Sequence, residues 1–280
     1  MRKLWLSLIV VGVAFNLLFT CSLFAQETQP RVIEEELVLK DPTVSATKKW
    51  AIGGSIEYWT DSGEYDSYSG TTKIAEGEIE GDMTGGNIFI GYGNWTLQAS
   101  SRKGDWDVDL HSTINPIDYT SSQEQEETEI TLRYLMRGLS SRHFAPYLIF
   151  GYNETTMKDT RTITTAGWIW TRNGTPVKVD DYTFNSFMLG IGAVVPFNKY
   201  LGIRGDIRAA MTDAEETWDT GQKFSDSGVG SVGFLTGYLN IVRGLNLQIG
   251  VKYLNLNGGE EIGWYRKTGT FAMLGYSLKF

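Results

Sequence analysis

Apolar residues alternate with polar or small residues over ten stretches of the chain. Such alternation is typical of a strand that has one apolar and one polar face. The predicted strands are 50–59, 84–92, 95–101, 128–136, 146–152, 182–195, 200–211, 229–241, 245–253 and 268–280. The pattern therefore predicts an all-β protein with ten strands.

The faces of most of these strands can be assigned from the alternation. In the last strand, Ala272, Leu274, Tyr276, Leu278 and Phe280 lie on one face, and small or polar residues lie on the other. In the first strand the apolar face holds Trp50, Ile52, Ile56 and Tyr58. The stretch 229–241 is apolar on both faces, so its register stays open.

The connections between the predicted strands alternate between short and long. The long connections are predicted as loops at 61–82, 103–127, 154–181, 212–228 and 257–267. Transmembrane β-barrels have an even number of strands, short periplasmic turns and long external loops. The sequence therefore predicts an antiparallel up-and-down barrel that spans a membrane, with its apolar faces toward lipid.

The third long connection contains Asn173-Gly174 between alternating tryptophans and valines. An Asn-Gly pair in such a setting favours a β-hairpin. We therefore expect the fifth and sixth strands to extend beyond the bilayer.

The amino-terminal residues predict a secretory signal peptide at 1–25. Arg2 and Lys3 precede an apolar stretch, and Ala25 is a small residue at a suitable cleavage point. The alternative is lipidation at Cys21. Residues 26–49 are polar and aperiodic, which predicts a periplasmic leader or a short helix under or inside the barrel, and 50–280 is the predicted barrel.

Composition and charge narrow the class of partner. Aromatic residues make up 13% of the chain, glycine is abundant and proline is scarce, as many long strands require. Without Arg2 and Lys3, 23 basic and 33 acidic residues remain, a charge of −10. This charge argues against nucleic acid or anionic lipid as the main partner. Cys21 is the only cysteine, so the mature chain has no disulfide.

The last strand resembles the insertion signal of bacterial outer-membrane β-barrels. It ends on an aromatic residue, Phe280, after alternating apolar positions and Gly275. The resemblance implies a Gram-negative outer-membrane location, contact with lipopolysaccharide, and recognition of the Phe280 strand by the barrel-assembly machinery.

Seven polar residues are predicted to face the interior, namely Arg133, Arg137, Arg204, Asp206, Arg208, Gln248 and Lys252. Small barrels have interiors that side chains fill. Opposite charges there favour a plugged lumen, and the excess of arginine leaves a narrow anion-selective, porin-like pore as the alternative.

Three of the long connections are acidic. Residues 61–82, 103–127 and 212–228 hold seven, seven and five acidic residues. They predict a negative external surface that is either simply solvated or attracts cations or basic peptides.

The segment Trp106-Asp107-Val108-Asp109-Leu110-His111 resembles omptins, the ten-stranded outer-membrane proteases. Their activity uses an aspartate pair in the second external loop and an Asp-x-His pair in the fourth. The resemblance implies Asp107 and Asp109 as the first pair, but Asp213-Ala214-Glu215 stands at the second. Glu215 replaces the histidine, and a carboxylate lacks the imidazole base. His111 could act in its place.

We therefore predict an outer-membrane surface barrel without catalysis. The alternative is an omptin-like endopeptidase that acts on basic peptides through Asp107, Asp109, Asp213 and Glu215. The two histidines, His111 and His143, and the absence of a Cys/His cluster predict no metal site, and no cofactor motif occurs.

Overall fold

The computed structural model describes residues 50–69, 72–112, 118–141, 143–163, 171–172, 175–176, 179–198, 200–242, 244–262 and 264–279. The predicted signal peptide, the leader and Phe280 lie outside these residues and stay predictions.

Almost all of the described chain is β-strand. The strands are β1 (Trp50–Ser69), β2 (Thr72–Tyr92), β3 (Trp95–Ser112), β4 (Asp118–Leu135), β5 (Ala145–Ile163), β6 (Thr171–Arg172), β7 (Thr175–Pro176), β8 (Val179–Pro196), β9 (Leu201–Trp218), β10 (Lys223–Val242), β11 (Leu245–Asn257) and β12 (Trp264–Lys279). A 3-10 helix spans Arg137–Leu139 and a short helix, α1, spans Gly259–Ile262. Among the described residues, no helix is long and apolar enough to cross a membrane.

Ten of these strands close into one antiparallel barrel in the order β1-β12-β11-β10-β9-β8-β5-β4-β3-β2. The first and last strands pair without interruption from Ala51↔Lys279 to Asp66↔Trp264. The predicted fold and strand count are confirmed. β6 and β7 pair with each other on either side of residues 173–174, as the Asn-Gly hairpin requires.

The strands are longer than predicted, and the first five strands of the barrel are about twice as long, which is the main correction to the predicted fold. The described residues of the segments predicted as loops at 61–82, 103–127, 154–181 and 212–228 are mostly strand, with β1 reaching Ser69 and β4 beginning at Asp118. The segment predicted as a loop at 257–267 contains α1 between the end of β11 and the start of β12. The expected extension of the fifth and sixth strands is confirmed by β5 and β8. The same extension occurs around the whole barrel.

A belt of exposed or half-buried apolar side chains surrounds the half of the barrel that has short connections. These outward side chains run from Trp50 to Tyr58 on β1, from Ile130 to Tyr134 on β4 and from Leu245 to Tyr253 on β11. Aromatic pairs occupy both borders: Trp50 and Tyr92 have ring centroids 4.7 Å apart, and Tyr152 and Phe187 are 5.3 Å apart. Aromatic girdles at both borders of an apolar band are typical of membrane-spanning barrels, whose short turns are periplasmic.

Beyond the belt the polarity of the two faces reverses. On β3, Trp106 and Val108 are buried inside the barrel, while Asp105, Asp107 and Asp109 are exposed outside. The buried apolar side chains form a distal core, which consists of Trp59, Ile79, Met83, Trp106, Val108, Met157, Tyr182, Phe184, Met188, Ala210, Ala214, Val232, Leu254, Leu256, Ile262, Tyr265, Phe271 and Met273. The distal half therefore has an apolar interior and a polar exterior, as a water-soluble β-barrel has.

The structure also fixes the register of β10. Val232, Thr236 and Tyr238 are buried in the interior, and Leu235 and Leu239 face outward. Both faces of β10 are apolar because its outward side chains belong to the belt, while its inward side chains belong to the distal core and to a smaller periplasmic core. The periplasmic core consists of Leu135, Ala145, Tyr147, Ile149, Val194 and Tyr238.

Candidate functional site

The interior of the barrel is filled by side chains. Of the seven residues predicted to face inward, Arg133, Arg204, Asp206, Arg208, Gln248 and Lys252 are buried there. The prediction that Arg137 faces the interior is wrong, because β4 ends at Leu135. Arg137 begins an exposed 3-10 helix in the periplasmic connection.

Glu127 lies at the centre of a buried charge network near the outer border of the belt. Its carboxylate accepts hydrogen bonds from Lys252 and, at 2.8 Å, from Arg102 Nη1. Arg102 Nε in turn donates to Glu57 Oε2 at 2.8 Å. Lys267 lies 2.9 Å from Asp61 Oδ2 and 3.8 Å from Glu127 Oε2. Three cations and three carboxylates therefore neutralise one another across β1, β3, β4, β11 and β12.

Aromatic rings enclose this network. The guanidinium of Arg102 lies 4.7 Å from the ring of Trp59, and Lys267 Nζ lies 4.8 Å from the ring of Trp106. Burial raises the pKa of Glu127, which lies outside the belt, but Lys252, Arg102 and Lys267 outweigh burial and hold that pKa well below its usual range. Burial raises the pKa of nearby Tyr265 to about 12.

A second network occupies the interior on the periplasmic side of the first. Arg208 donates to Asp206 Oδ1 and to Glu129 Oε1, both at 2.7 Å. Tyr147 donates to Asp206 Oδ2 at 3.1 Å, and Arg133 Nη1 donates to Gln98 Oε1 at 2.7 Å. Buried ions need such partners, because an uncompensated charge in an apolar interior costs several kcal/mol, on the order of 3–5.

Sequence reasoning missed Glu57, Asp61, Arg102, Glu127 and Lys267. The last four lie at or beyond the edge of the predicted strands, in or next to segments predicted as loops. Their signal is alternation that continues past the belt, as in Gln123, Gln125, Glu127 and Glu129, all buried on β4.

The four residues of the endopeptidase alternative lie on the outer surface. Asp107 and Asp109 are exposed on β3, and Asp213 and Glu215 are exposed on β9. Three strands separate β3 from β9 on one side of the barrel and five on the other. The structure thus brings each pair together but does not bring the two pairs to one groove.

Local contacts of these residues are those of a solvated surface. Glu215 accepts a hydrogen bond from Lys223 at 2.6 Å, and this bond lowers the pKa of the Glu215 carboxyl. His111, also on β3, pairs in register with Glu76 and Asp118 and is exposed.

Acidic residues of β2 and β3 face each other directly on the outside of the distal half. The register places Glu78 opposite Asp109, Glu80 opposite Asp107 and Asp82 opposite Asp105, and all six side chains are exposed. We call this surface the acidic face. Like charges directly opposite on neighbouring strands are destabilising. Within the described ranges, no group of three or more His, Cys, Asp or Glu residues has the arrangement of a metal site.

The sequence matches no family model and no curated protein. Among solved structures it is similar to the outer membrane protease OmpT from Escherichia coli, with a TM-score of 0.55 and 10% identity over 85% of this chain and 99% of that chain. It is also similar to the translocator domain of the autotransporter NalP from Neisseria meningitidis, with a TM-score of 0.47 and 11% identity over 87% and 93% of the two chains.

A third similar structure is the outer membrane protein OprG from Pseudomonas aeruginosa, with a TM-score of 0.36 and 11% identity over 84% and 97% of the chains. At these identities the likeness concerns the fold. The ten-stranded closure, the apolar belt and its aromatic borders identify the chain as a β-barrel of the bacterial outer membrane.

Proposed function

We propose that this protein is a surface barrel that conducts no steady ion current and acts through its distal half. The observation that supports this proposal most directly is the filled interior. The distal core, the Glu127 network, the Arg208 network and the periplasmic core follow one another along the barrel. An ion crossing this interior would have to separate buried ion pairs and displace packed aromatic rings.

Planar-bilayer recording of the refolded, purified barrel tests the proposal. We expect no reproducible conductance steps, and a general porin reconstituted in parallel serves as the positive control. Anion-selective steps that disappear in Arg204→Ala would establish the pore alternative instead.

The endopeptidase alternative has less support in the geometry. Water activation requires an acid or base within hydrogen-bond reach of the attacked group. Asp107 and Asp109 are on a different side of the barrel exterior from Asp213 and Glu215, so the four cannot act on one peptide bond in this arrangement. Incubation of the barrel, with lipopolysaccharide, against peptides with paired Lys or Arg should give no cleavage. Cleavage that Asp107→Ala and Asp213→Ala both abolish would contradict our proposal.

The proposed partners of the distal half are cationic. The acidic face concentrates negative potential on one side of the exterior, which attracts cations and basic peptides in a salt-dependent manner. In the membrane, the belt contacts outer-membrane lipid and lipopolysaccharide, and we propose that the barrel-assembly machinery recognises the β12 strand that leads to Phe280.

A further inference from the structure

The short connections at the periplasmic end of the barrel carry positive charge and no acidic side chain. They join β2 to β3, β4 to β5, β8 to β9 and β10 to β11, and they span 93–94, 136–144, 197–200 and 243–244. None of them contains Asp or Glu, and their Lys and Arg residues are Arg137, Arg142, Lys199 and Arg243. Lys48 and Lys49 directly precede Trp50, the first residue of β1.

The two ends of the barrel therefore differ in charge. The exterior of the distal half has the acidic face, where carboxylates of β2 and β3 lie opposite each other in register. The periplasmic connection between the same two strands, Gly93-Asn94, is uncharged, and the cations lie in the other connections. The net charge of −10 is an average over these two ends. Its argument against anionic lipid therefore does not apply to the periplasmic border.

The cationic connections also expose apolar side chains. Arg137 begins the exposed 3-10 helix, and Leu139 of the same helix is exposed. Lys199 lies in the sequence between Asn198 and Tyr200, and Tyr200 and Phe197 are both exposed. Cations next to exposed aromatic and aliphatic groups are typical of a surface at the boundary between hydrocarbon and headgroups.

The aromatic border of the belt gives the depth of these cations. Tyr134 packs against Trp95 with ring centroids 4.6 Å apart, and Arg137 follows Tyr134 by three residues. Extended chain rises about 3.3 Å per residue, so Arg137 lies at most about 10 Å beyond this border. The headgroup region is about 5–8 Å thick on each side of the hydrocarbon. A long arginine side chain can extend along the barrel to reach a headgroup at that depth.

We propose that the periplasmic border of the barrel binds anionic phospholipid. The cations of 136–144, 197–200 and 243–244 hold the headgroup phosphates, and the acyl chains lie against the belt. Guanidinium and ammonium groups form charge-assisted hydrogen bonds with phosphate oxygens, and several cations at a membrane surface add to the attraction. This surface continues the lipid contact of the belt, and it does not depend on the proposed role of the distal half.

The segment 26–49 is the other occupant to consider, because it leads into β1 at this end of the barrel. It contains five acidic and four basic residues, which give it a net charge of −1. A nearly neutral segment complements a cationic border poorly. Charge complementarity therefore favours the phospholipid.

Native mass spectrometry of the full barrel in detergent tests the proposal, with phosphatidylglycerol and phosphatidylcholine of identical acyl chains offered in equal amounts. We expect the wild-type protein to retain phosphatidylglycerol several-fold more than phosphatidylcholine, and this preference should decline as salt rises. A periplasmic variant, with Arg137, Lys199 and Arg243 changed to Gln, should lose most of the preference. Heat-modifiable gel migration checks that each variant is folded, and the single variant Lys199→Gln replaces the triple variant if the latter does not fold.

The matched control removes three exposed lysines from the distal half, by changing Lys103, Lys158 and Lys223 to Gln. It should keep the wild-type preference. The proposal is overturned if the wild-type protein retains both lipids equally, if the periplasmic variant keeps the preference, or if both triple variants lose it to the same extent. A preference that arises only after Glu34, Glu35 and Glu36 are changed to Gln would also overturn it and would assign the border to the segment 26–49.

Discussion

Several interior glycines are required because an aromatic ring occupies the place of their side chain. A Cβ on Gly192 would lie 2.4 Å from Tyr147 Cζ, and one on Gly202 would lie 2.3 Å from the Tyr238 hydroxyl oxygen. Gly53 and Gly250 are similarly covered by Phe89 and Phe271. Contacts this short force either the ring or the strand to move.

Gly192→Ala should therefore destabilise the folded barrel by about 1–3 kcal/mol, the usual cost of overpacking. Urea unfolding in lipid vesicles measures the difference. The control is Gly233→Ala on the lipid side of β10, where the nearest atom to the new Cβ is 3.9 Å away. Equal stability of the two variants would mean that the Tyr147 ring is not held against Gly192.

Glu127 gives a prediction about pH. Its pKa is lower in the folded protein than in an unfolded chain, so the unfolded chain binds the proton more tightly. The stabilisation that Glu127 provides is therefore complete above the ordinary carboxyl pKa and declines as the pH falls below it. Glu127→Gln should lower stability at neutral pH by about 3–5 kcal/mol, because three buried cations lose their shared partner.

Glu127→Gln should also flatten the acid dependence of stability between neutral pH and about pH 3. The matched control is the neighbouring Glu126→Gln, whose side chain is exposed and pairs with Lys103 at 2.8 Å. Since exposed pairs contribute about 0–1 kcal/mol, this variant should keep the wild-type acid profile. An acid limb as steep in Glu127→Gln as in the wild-type protein would contradict the assignment.

At the scale of the strand, repulsion between like charges on the acidic face lowers the stability of the folded barrel. Asp107→Asn removes one member of the Glu80–Asp107 pair and should raise stability by about 0.2–1 kcal/mol at low ionic strength. The gain should shrink as salt screens the charges.

Asp181→Asn on β8 makes the same chemical change next to an opposite charge, because Asp181 is paired in register with Lys158. It should lower stability slightly or leave it unchanged. Identical effects of Asp107→Asn and Asp181→Asn in unfolding experiments would show that cross-strand charge does not decide the stability of this face.

The strands also show which part of the fold could be predicted from the sequence. Within the belt, alternation places apolar residues toward lipid, and this gave the strand count and nearly every face. Beyond the belt the apolar face turns inward, as with Trp106 and Val108, and the outer positions become acidic. Acidic residues at every second position predict a loop by their polarity, although their period of two is that of a strand.

Contacts between distant strands could not be predicted in the same way. Lys252 and Glu127 are 125 positions apart, and their ion pair depends on the closed register of the barrel. The prediction that Arg137 faces the interior is wrong for a local reason, because β4 ends two residues earlier. The acidic pairs Asp107/Asp109 and Asp213/Glu215 were found from the sequence, but only the topology reveals that they lie on non-neighbouring strands.

For the whole molecule, the belt makes a quantitative prediction about insertion. Leu235 is exposed near the middle of the apolar stretch of β10, so Leu235→Arg should destabilise the inserted barrel by about 2–4 kcal/mol. Ser227→Arg, on the same face of β10 but beyond the belt, should cost about 0–1 kcal/mol. Folding into vesicles and heat-modifiable migration report both values, and a similar cost for the two variants would place the membrane elsewhere.

The closure between β1 and β12 has a consequence for traffic between the barrel and the bilayer. The two strands pair without a break from Ala51 to Asp66, the Trp59 and Phe271 rings meet across them at 4.4 Å, and Lys267 is bound to Asp61 at 2.9 Å. A hydrophobic solute that left the interior sideways between β1 and β12 would have to break the strand pairing, the ring contact and the ion pair together. The pairing of β1 with β12 thus keeps the barrel interior separate from the lipid bilayer.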